Sequence, residues 1–497
     1  MPILAQAKKA VNGNSHRQLS ELTLLKVPTG VRGLDQVTHG GFPKGRTALV
    51  CGGPGTGKTL LGLEFLVRGA MEFNEPGVCM AFEETAEEMT TNMASLHCNL
   101  PQLIADRKLI IDYVQVERKQ IEETGEYDLE GIFIRLRHAI DSIKAKRVLL
   151  DTLEVLFIGL TDEGLVRSEL RRLFHWLKDA GVTAVITAEV GEKTLTRWGL
   201  EEYVADCVIL LDHRVTEQVS TRRLRVVKYR GSSHGTNEYP FLLDNEGISV
   251  VPITALGLTH HAYTEKISSG ISSLDQMLSG EGFFRGTSIL VTGSAGTGKS
   301  SFSAAFANAA CARGERALYF AFEESPSQIH RNMKSLGMNL DRWTKRGLLK
   351  IFAARPTSNG LEGHLAHMYQ GIEQFNPTVV VVDPITNLIT VGDVPSVKAM
   401  LTRLIDYLKT KGITAMFTNL VFQADVEETA IGISSLMDAW LVLREISYGA
   451  DRIRMLNLLK CRGMAHDSRM HSFNLSDKGI AINGNNYQAI AATQTRS

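Results

Sequence analysis

Two short segments of this sequence place a lysine and a hydroxyl residue directly after a glycine-rich turn. Both match Gly-x-x-x-x-Gly-Lys-[Thr/Ser], in which backbone N–H groups turn inward around phosphate oxygens and the next helix adds its N-terminal dipole. Lys58 and Lys299 should reach the β- and γ-phosphates, whereas Thr59 and Ser300 should supply hydroxyl ligands to Mg²⁺. The sequence therefore predicts two ATP sites. Their loop residues are Gly52, Gly53, Gly55, Thr56, Gly57, Lys58 and Thr59, and Gly293, Gly296, Thr297, Gly298, Lys299 and Ser300.

An acidic residue ends an apolar run downstream of each glycine-rich segment. RVLLD ends at Asp151, and VVVVD ends at Asp383. A carboxylate at the C-terminal end of a strand lies where open α/β sheets bind their ligands. Either aspartate alone could instead cap a helix, but both recur at the same place relative to a glycine-rich segment. We therefore predict that they complete the two Mg²⁺ shells with Thr59 and Ser300.

A pair of glutamates follows another apolar run in each half of the chain. The pairs are Glu83-Glu84 and Glu323-Glu324. A carboxylate at this place can act as a catalytic base that polarises the water or hydroxyl attacking the γ-phosphate. Because adjacent side chains point to opposite sides of a strand, we expect one base in each pair. The other member would orient the base or raise its pKa, and the sequence leaves open which is which.

A Lys-x-Arg-Gly pattern recurs late in each half, with Lys228 and Arg230 in the first and Lys460 and Arg462 in the second. The spacing of two puts both cations on one face of a strand. A lone pattern of this kind is usually a solvated strand edge. Neither glycine-rich site has an evident charge-neutralising arginine of its own. We therefore predict that these cations bind the ATP of a neighbouring subunit, which implies a ring.

These chemical groups belong to one unit that the sequence contains twice. The landmarks return in the same order after about 240 residues, which is the size of a domain and too long for a solenoid repeat. Apolar runs alternate with amphipathic helices, which predicts an α/β fold whose mostly parallel, twisted sheets are flanked by helices. The predicted strands are 47–51, 78–82, 148–150, 183–187, 208–211, 288–292, 317–322, 379–382, 414–418 and 440–443.

The repeat also predicts the division of the chain. The first copy is longer, and its additional residues are expected in the charged stretch 113–127, as an exposed loop or a longer surface helix. The predicted segments are an N-terminal tail (1–22), a first domain (23–250), a linker (251–264), a second domain (265–482) and a C-terminal tail (483–497).

The composition excludes several classes of protein. Lys+Arg and Asp+Glu both count 54, and this zero net charge argues against a protein held mainly by nucleic acid or by an anionic membrane. The 6 cysteines are scattered, which indicates neither a disulfide framework nor a zinc site. No apolar run approaches the roughly 18–20 residues of a spanning helix, and the N-terminus lacks the apolar centre of a secretion signal. We expect a cytoplasmic protein that binds neither membrane nor nucleic acid.

The doubled glycine-rich loops, the FEE after an apolar run in both halves and the late K-x-R-G together resemble the KaiC family of circadian clock kinases. The resemblance covers residues from about Leu25 to Gly479. It implies two tandem RecA-like P-loop domains and a double-ring homohexamer with ATP at every subunit interface. It also implies that the first ring is a slow ATPase, whereas the second ring phosphorylates itself and returns the phosphate to ADP.

The resemblance also implies phosphoacceptors in the segment TAIGISSLMD. Ser434 and Ser435 occupy the place of an adjacent Ser-Thr pair in the family, and Thr429 matches a nearby threonine. Glu323 would take the proton of the attacking hydroxyl. The second acceptor is serine here, and no arginine lies near Thr390 where the family has one, which favours hydrolysis over conventional kinase chemistry.

The tail after Gly479 is shorter than the family's KaiA-binding segment. The resemblance therefore implies a KaiA-independent protein associated with a KaiB-like partner, which would dock on the first ring near 113–127. Three alternatives stay open. One is a RecA-like recombination or helicase motor, which should show a basic channel or an added DNA-binding module. The second is a ring ATPase without autokinase activity, and the third is a scaffold that only binds ATP.

Overall fold

The computed structural model describes residues 24–96, 98–115, 129–157, 162–191, 194–196, 199, 204–216, 219–252, 261–421, 431–448 and 451–483. They form two compact units. The first holds the described residues of 24–214 and 222–252, and the second holds those of 215–221 and 261–483. Within these described parts of the chain, no helix is both long and apolar enough to cross a bilayer.

In the first half of the chain, the strands and helices alternate as the apolar runs predict. The strands are β1 (Lys26–Val27), β2 (Phe42–Pro43), β3 (Thr47–Gly52), β4 (Gly77–Ala81), β5 (Leu109–Tyr113), β6 (Arg147–Asp151), β7 (Thr183–Glu189), β8 (Cys207–Thr216), β9 (Val219–Tyr229), β10 (Glu238–Asp244) and β11 (Gly247–Val250). The helices are α1 (Leu34–Val37), α2 (Lys58–Glu72), α3 (Ala86–Ala94), α4 (Leu100–Ala105), α5 (Glu130–Ile143) and α6 (Glu163–Asp179), with a 3₁₀ turn at Leu153–Phe157.

The main sheet of the first unit has the order β11-β10-β9-β8-β3-β7-β6-β4-β5 among the described strands. Strand β3 is parallel to both of its neighbours, β7 and β8. Strands β3, β4 and β6 are buried along their whole length, which explains their continuous apolar sequences. Helix α2 buries Leu61 and Phe65 in the core on one face of this sheet, and α5 and α6 bury Phe133 and Leu173 in the core on the other.

The second half of the chain repeats this arrangement. The strands are β12 (Lys266–Ile267), β13 (Phe283–Phe284), β14 (Ser288–Gly293), β15 (Ala317–Ala321), β16 (Leu349–Ala353), β17 (Val379–Asp383), β18 (Thr414–Leu420), β19 (Ala439–Tyr448), β20 (Asp451–Cys461), β21 (His471–Ser476) and β22 (Gly479–Ile482). The helices are α7 (Ser272–Met277), α8 (Lys299–Ala312), α9 (Pro326–Lys334), α10 (Asp341–Lys345), α11 (Leu361–Phe375) and α12 (Val394–Thr410), with 3₁₀ turns at Pro356–Ser358 and Ile385–Val391.

Its main sheet has the order β16-β15-β17-β18-β14-β19-β20-β21-β22 among the described strands. Strand β14 is parallel to β18 and β19, and β15 is parallel to β16 and β17. The fold is therefore the predicted pair of α/β domains with mostly parallel sheets, and each of the ten predicted strands is present. The sequence predicted a late strand at each Lys-x-Arg pattern, where β9 and β20 end, but it did not predict the antiparallel pairing of these strands or the strands β10, β11, β21 and β22.

Candidate functional site

The first glycine-rich loop joins β3 to α2 in a backbone form that depends on its glycines. Gly55 and Gly57 have φ of 69° and 101°, in the left-handed region that residues with a Cβ disfavour. A Cβ on Gly52 would lie 2.4 Å from Thr56 Oγ1. The Thr56 hydroxyl donates to the carbonyl oxygen of Gly53 at 2.8 Å. Glycine thus permits the tight loop, and the threonine hydroxyl closes it.

The lysine and the threonine that begin α2 contact the loop and the aspartate at the end of β6, respectively. Lys58 is 8% exposed, and its Nζ donates to the carbonyl oxygens of Gly52 at 2.8 Å and Gly53 at 3.0 Å. Thr59 Oγ1 lies 3.0 Å from Asp151 Oδ2 and 3.2 Å from Oδ1. The Lys58 ammonium group is therefore hydrogen-bonded to the loop, and the Thr59 hydroxyl is hydrogen-bonded to the carboxylate predicted for the metal shell.

Asp151 ends β6 beside the end of β4, where it pairs in register with Ala81. The carboxylate is nearly inaccessible to solvent, and its Oδ1 accepts a hydrogen bond from the hydroxyl of Thr187 on β7. Burial raises the pKa of Asp151, and the hydrogen bonds from Thr187 and Thr59 partly oppose this effect. A desolvated carboxylate gains stability from a cation, which suits a place in a metal shell.

The second glycine-rich loop repeats the geometry of the first between β14 and α8. Gly296 and Gly298 have φ of 80° and 100°. The Thr297 hydroxyl donates to the carbonyl oxygen of Ser294 at 2.9 Å, and Lys299 Nζ donates to the same oxygen at 2.8 Å. Burial lowers the pKa of Lys299, so this ammonium group gains from an anionic phosphate beside it.

The metal-shell carboxylate of the second unit has a different set of neighbours. Asp383 ends β17 and is buried; Thr418 donates to its Oδ1, and the phenol of Tyr319 on β15 donates to its Oδ2. Ser303 Oγ lies 3.1 Å from the Tyr319 hydroxyl. Burial raises the pKa of Tyr319 well above its ordinary range, so the phenol keeps its proton and donates. Among the described residues, no hydrogen bond joins Ser300 to Asp383.

The two glutamates of the first pair lie between β4 and α3 in different surroundings. Helix α3 begins with a capping box, in which the side chains of Thr85 and Glu88 each accept a hydrogen bond from the backbone N–H of the other. Glu84 Oε2 accepts a hydrogen bond from Asn92 Nδ2 on the same helix at 3.2 Å. Glu83 is exposed and makes no hydrogen bond to the described residues. The structure thus fixes Glu84 and leaves Glu83 available to a reactant.

The second pair shows the same asymmetry. Glu324 Oε1 accepts from Asn332 Nδ2 at 2.8 Å, and burial together with the charge of Asp383 raises the pKa of Glu324. Glu323 is exposed and likewise makes no hydrogen bond to the described residues. Both glutamates line a cavity with Arg355, which follows β16 and which the sequence analysis did not single out.

The donors at each loop fit Mg²⁺, because this ion prefers oxygen ligands and retains several waters beside the phosphates. Thr59 with Asp151 in the first unit, and Ser300 with Asp383 in the second, are the residues that would hold it. Among the described residues, no group of three or more His, Cys, Asp or Glu forms an all-protein metal site. Two oxygen donors from the protein, with phosphate and water completing the shell, are typical of nucleotide-bound Mg²⁺.

The predicted cations of the second unit contact the predicted phosphoacceptors of the same chain. Lys460 Nζ donates to the carbonyl oxygen of Ser434 at 3.0 Å, and Arg462 donates to that of Ser435 at 2.7 Å. The Arg462 guanidinium also lies 3.8 Å from Asp438. Ser435 is exposed, and Ser434 is half-buried. The backbone of the predicted acceptor segment is therefore held by these two cations, while the Ser435 side chain is accessible.

In the first unit, the corresponding cations lie near the end of β9. Arg230 donates to the carbonyl oxygen of Val204 at 3.3 Å and lies 4.0 Å from Asp206, and Lys228 is half-buried. Their predicted contact with a neighbouring subunit's ATP stays a prediction. Thr429 and residues 116–128, which make up most of the predicted loop, lie outside the described residues.

Sequence reasoning missed the side chains that hold the predicted carboxylates. Thr187 and Thr418 sit at equivalent places on β7 and β18, and Asn92 and Asn332 sit at equivalent places on α3 and α9. Their recurrence in both copies was a usable signal. Tyr319 has no such signal, since the first copy has Cys79 at that place in the strand.

The two sheets, each with a phosphate loop after β3 or β14 and an acidic residue ending a nearby parallel strand, define a tandem RecA-like P-loop protein. Comparison of the sequence with family models gives the same class, because the model described as "ATPase: KaiC" matches residues 27–255 and 267–487. The chain belongs to the KaiC family, and each half is an ATP-binding ATPase domain of that family.

Curated relatives agree along nearly the whole chain. "Circadian clock protein KaiC2" of Synechocystis sp. is 54% identical over 464 residues, which cover 93% of this chain and 82% of the relative. "Circadian clock oscillator protein KaiC" of Parathermosynechococcus lividus is 36% identical over 94% of this chain and 87% of the relative. The protein of that name from Synechococcus elongatus is 36% identical over 95% of this chain and 91% of the relative.

Proposed function

We propose that this chain is an ATP-hydrolysing autokinase and autophosphatase that forms a homohexameric double ring and acts as a clock or timer component. The first unit mainly hydrolyses ATP, and the second unit phosphorylates Ser434 and Ser435. The observation that carries the proposal is the contact of Lys460 and Arg462 with the backbone of these two serines. The acceptors thereby lie beside the cations predicted to bind a γ-phosphate.

Hydrolysis in the first unit uses the loop, the lysine and one glutamate. The loop amides and Lys58 bind and orient the phosphates, and Thr59 with Asp151 would hold Mg²⁺, which supplies charge neutralisation when bound. Glu83 takes a proton from the attacking water, since Glu84 is engaged by Asn92. Lys228 and Arg230 reach this site from the neighbouring subunit.

Phosphoryl transfer in the second unit uses equivalent groups with a serine hydroxyl in place of water. Glu323 takes the hydroxyl proton of Ser434 or Ser435 while the new Oγ–P bond forms. The bond between the γ-phosphorus and the bridging oxygen breaks, and ADP leaves. The reverse step returns the phosphoryl group to ADP, which regenerates ATP and the free serine. Lys299 and the loop amides stabilise the charge on the transferred group.

The proposal also covers the boundaries and partners. The ATPase domain spans 23–250 and the autokinase domain 265–482, with the linker 251–264 between them and tails at 1–22 and 483–497. The clock role is supported by the names of the relatives, which are circadian clock proteins. We expect a KaiB-like partner near 113–127 and no dependence on KaiA, in the cytoplasm and without nucleic acid.

Intact-mass spectrometry of the full chain tests the autokinase. Incubation with Mg-ATP should add one or two phosphates, and exchange into ADP should remove them. The double variant Ser434→Ala, Ser435→Ala should gain none, and Ser447→Ala, which replaces an exposed serine of β19, serves as the matched control. A phosphate gain that persists in the double variant would place the acceptors elsewhere.

The same samples distinguish the competing functions. ATP hydrolysis with no added phosphate would leave a ring ATPase whose output is conformational. Salt-dependent binding of single-stranded DNA would favour a recombination or helicase motor. A wild-type ATP turnover no faster than background, and unchanged in the variant Glu83→Gln, Glu84→Gln, would favour a scaffold that only binds ATP.

A further inference from the structure

The two carboxylates assigned to the metal shells differ in how their second oxygen is used. In the first unit, Asp151 Oδ2 faces the hydroxyl of Thr59 at 3.0 Å, on the side of the phosphate loop. In the second unit, Asp383 Oδ2 accepts the phenol proton of Tyr319, which is 1% exposed. Both carboxylates accept a threonine hydroxyl of the neighbouring strand on Oδ1, so the difference is confined to Oδ2, which faces the phosphate loop in Asp151 and is engaged from inside the sheet in Asp383.

The difference is built into the packing of the two cores. Tyr319 is the third residue of β15, and Cys79 is the third residue of β4. The phenol is supported by Ser303 on α8, at 3.1 Å, and the equivalent residue of α2 is Gly62.

In the first unit, a serine in place of Gly62 would require the side chain of Leu149 to shift. A Cβ on Gly62 would lie 2.4 Å from Leu149 Cδ1. The second unit has the smaller Val381 at the place of Leu149, which leaves space for Ser303 and the phenol. Tyr319, Ser303 and Val381 of the second unit therefore replace Cys79, Gly62 and Leu149 of the first unit as a set.

A hydrogen bond to a carboxylate oxygen competes with a cation for that oxygen. The Asp383 carboxylate already accepts from Thr418 on Oδ1, so the phenol occupies its remaining oxygen. Coordination through Oδ2 requires that the Tyr319 hydroxyl is displaced or shares the oxygen. A hydrogen bond to a charged group is among the stronger ones in proteins, so this competition is measurable.

We propose that Tyr319 is a positioning residue that weakens the hold of the second nucleotide site on Mg²⁺, so that the two sites of one chain differ in their Mg²⁺ requirement. This inference rests on the proposed role of Asp383 in the metal shell. It does not depend on whether Ser434 or Ser435 is phosphorylated. Tyr319 acts through Asp383 and contacts neither nucleotide nor reacting atoms.

Binding of a fluorescent ADP analogue during an Mg²⁺ titration tests the inference without turnover. The full chain carries Lys58→Ala, so that the signal comes from the second site. Adding Tyr319→Phe should lower the half-saturating Mg²⁺ concentration about tenfold, the effect of one hydrogen bond to a charged group. Ser303→Ala removes only the hydrogen bond that supports the phenol. It should lower the half-saturating Mg²⁺ concentration by a smaller factor.

A matched control removes another buried phenol that bonds a carboxylate. Tyr407 on α12 donates to Glu373 Oε1 in the same unit, and Tyr407→Phe should leave the Mg²⁺ dependence unchanged. An unchanged or raised half-saturating concentration in Tyr319→Phe would overturn the inference. If Tyr319→Phe does not fold, Ser303→Ala is the test. An unchanged half-saturating Mg²⁺ concentration in Ser303→Ala would then show that the phenol does not influence the site.

Two further variants separate this inference from the proposed function. Lys299→Ala should abolish the second-site signal, and Asp383→Asn should raise the Mg²⁺ requirement. If Asp383→Asn leaves the titration unchanged, the assigned metal shell is wrong. If Asp383→Asn shifts the titration and Tyr319→Phe does not, the metal shell stands and the role of Tyr319 is wrong.

Discussion

Replacing each glutamate of the first pair separately identifies the base for ATP hydrolysis. Glu84 is engaged by Asn92 at 3.2 Å, whereas Glu83 is exposed and makes no hydrogen bond to the described residues. Glutamine keeps the size of the side chain and removes its ability to take a proton. Glu83→Gln should therefore remove general-base catalysis, whereas Glu84→Gln should disturb only the arrangement around it.

The losses of hydrolysis rate expected for the two variants differ enough to identify the base. A positioned general base contributes a factor of about 10²–10⁴ to the rate, which is the loss expected for Glu83→Gln. The contact of Glu84 with Asn92 is a hydrogen bond on a partly exposed carboxylate, worth about 1 kcal/mol. At room temperature, that energy corresponds to about a fivefold loss of rate for Glu84→Gln, and Asn92→Ala should behave similarly.

The assay is phosphate release by the full chain with Lys299→Ala, so that turnover comes from the first unit. Glu83, Glu84 and Glu87 line one cavity of the first unit. Glu87→Gln, which replaces another exposed carboxylate there, is the matched control and should be near wild type. Nucleotide binding is measured in parallel, because the loss should appear in kcat and leave binding nearly unchanged. A larger loss in Glu84→Gln than in Glu83→Gln would refute the assignment of the base.

Three other predictions follow from individual contacts. Burial raises the pKa of Glu64 to about 6. The folded state therefore binds more protons than the unfolded state, and the unfolding free energy should fall by about 2 kcal/mol in total as the pH rises from well below 4.5 to well above 6. Urea unfolding at several pH values should show this decline, and Glu64→Gln should flatten it. Gly52→Ala should abolish nucleotide binding at the first site, because its Cβ would lie 2.4 Å from Thr56 Oγ1; a filter-binding assay that finds wild-type affinity would contradict the loop geometry. Arg462→Gln should lower the phosphate gain in the intact-mass assay more than tenfold, since it removes a charge-stabilising cation and the support of Ser435; an unchanged gain would exclude both roles.

The sequence predicted the parts of the site that depend on local order. The glycine loops, Lys58 and Lys299 lie next to the strand and helix that position them, so a short motif describes their geometry. Asp151 and Asp383 were also predictable, because a continuous apolar strand ends at each of them.

The remaining contacts depend on register between distant segments. Tyr319 and Asp383 are 64 residues apart and meet only because β15 and β17 pair in parallel. Lys460 and Arg462 contact the backbone of Ser434 and Ser435 because β20 folds back along β19, with a register shift between Trp440 and Leu441. The choice between Glu83 and Glu84 depended on Asn92. This residue lies on α3, and its side chain contacts Glu84 only because the helix turns that face toward the glutamate.

Both phosphate loops belong to a single polypeptide, and this fixes their ratio at one to one at any level of expression. A change in protein abundance alters the number of both sites equally. A response that compares the occupancy of the two sites is therefore insensitive to gene dosage and to dilution at cell division. Such a comparison instead depends on how strongly each loop binds the available ATP.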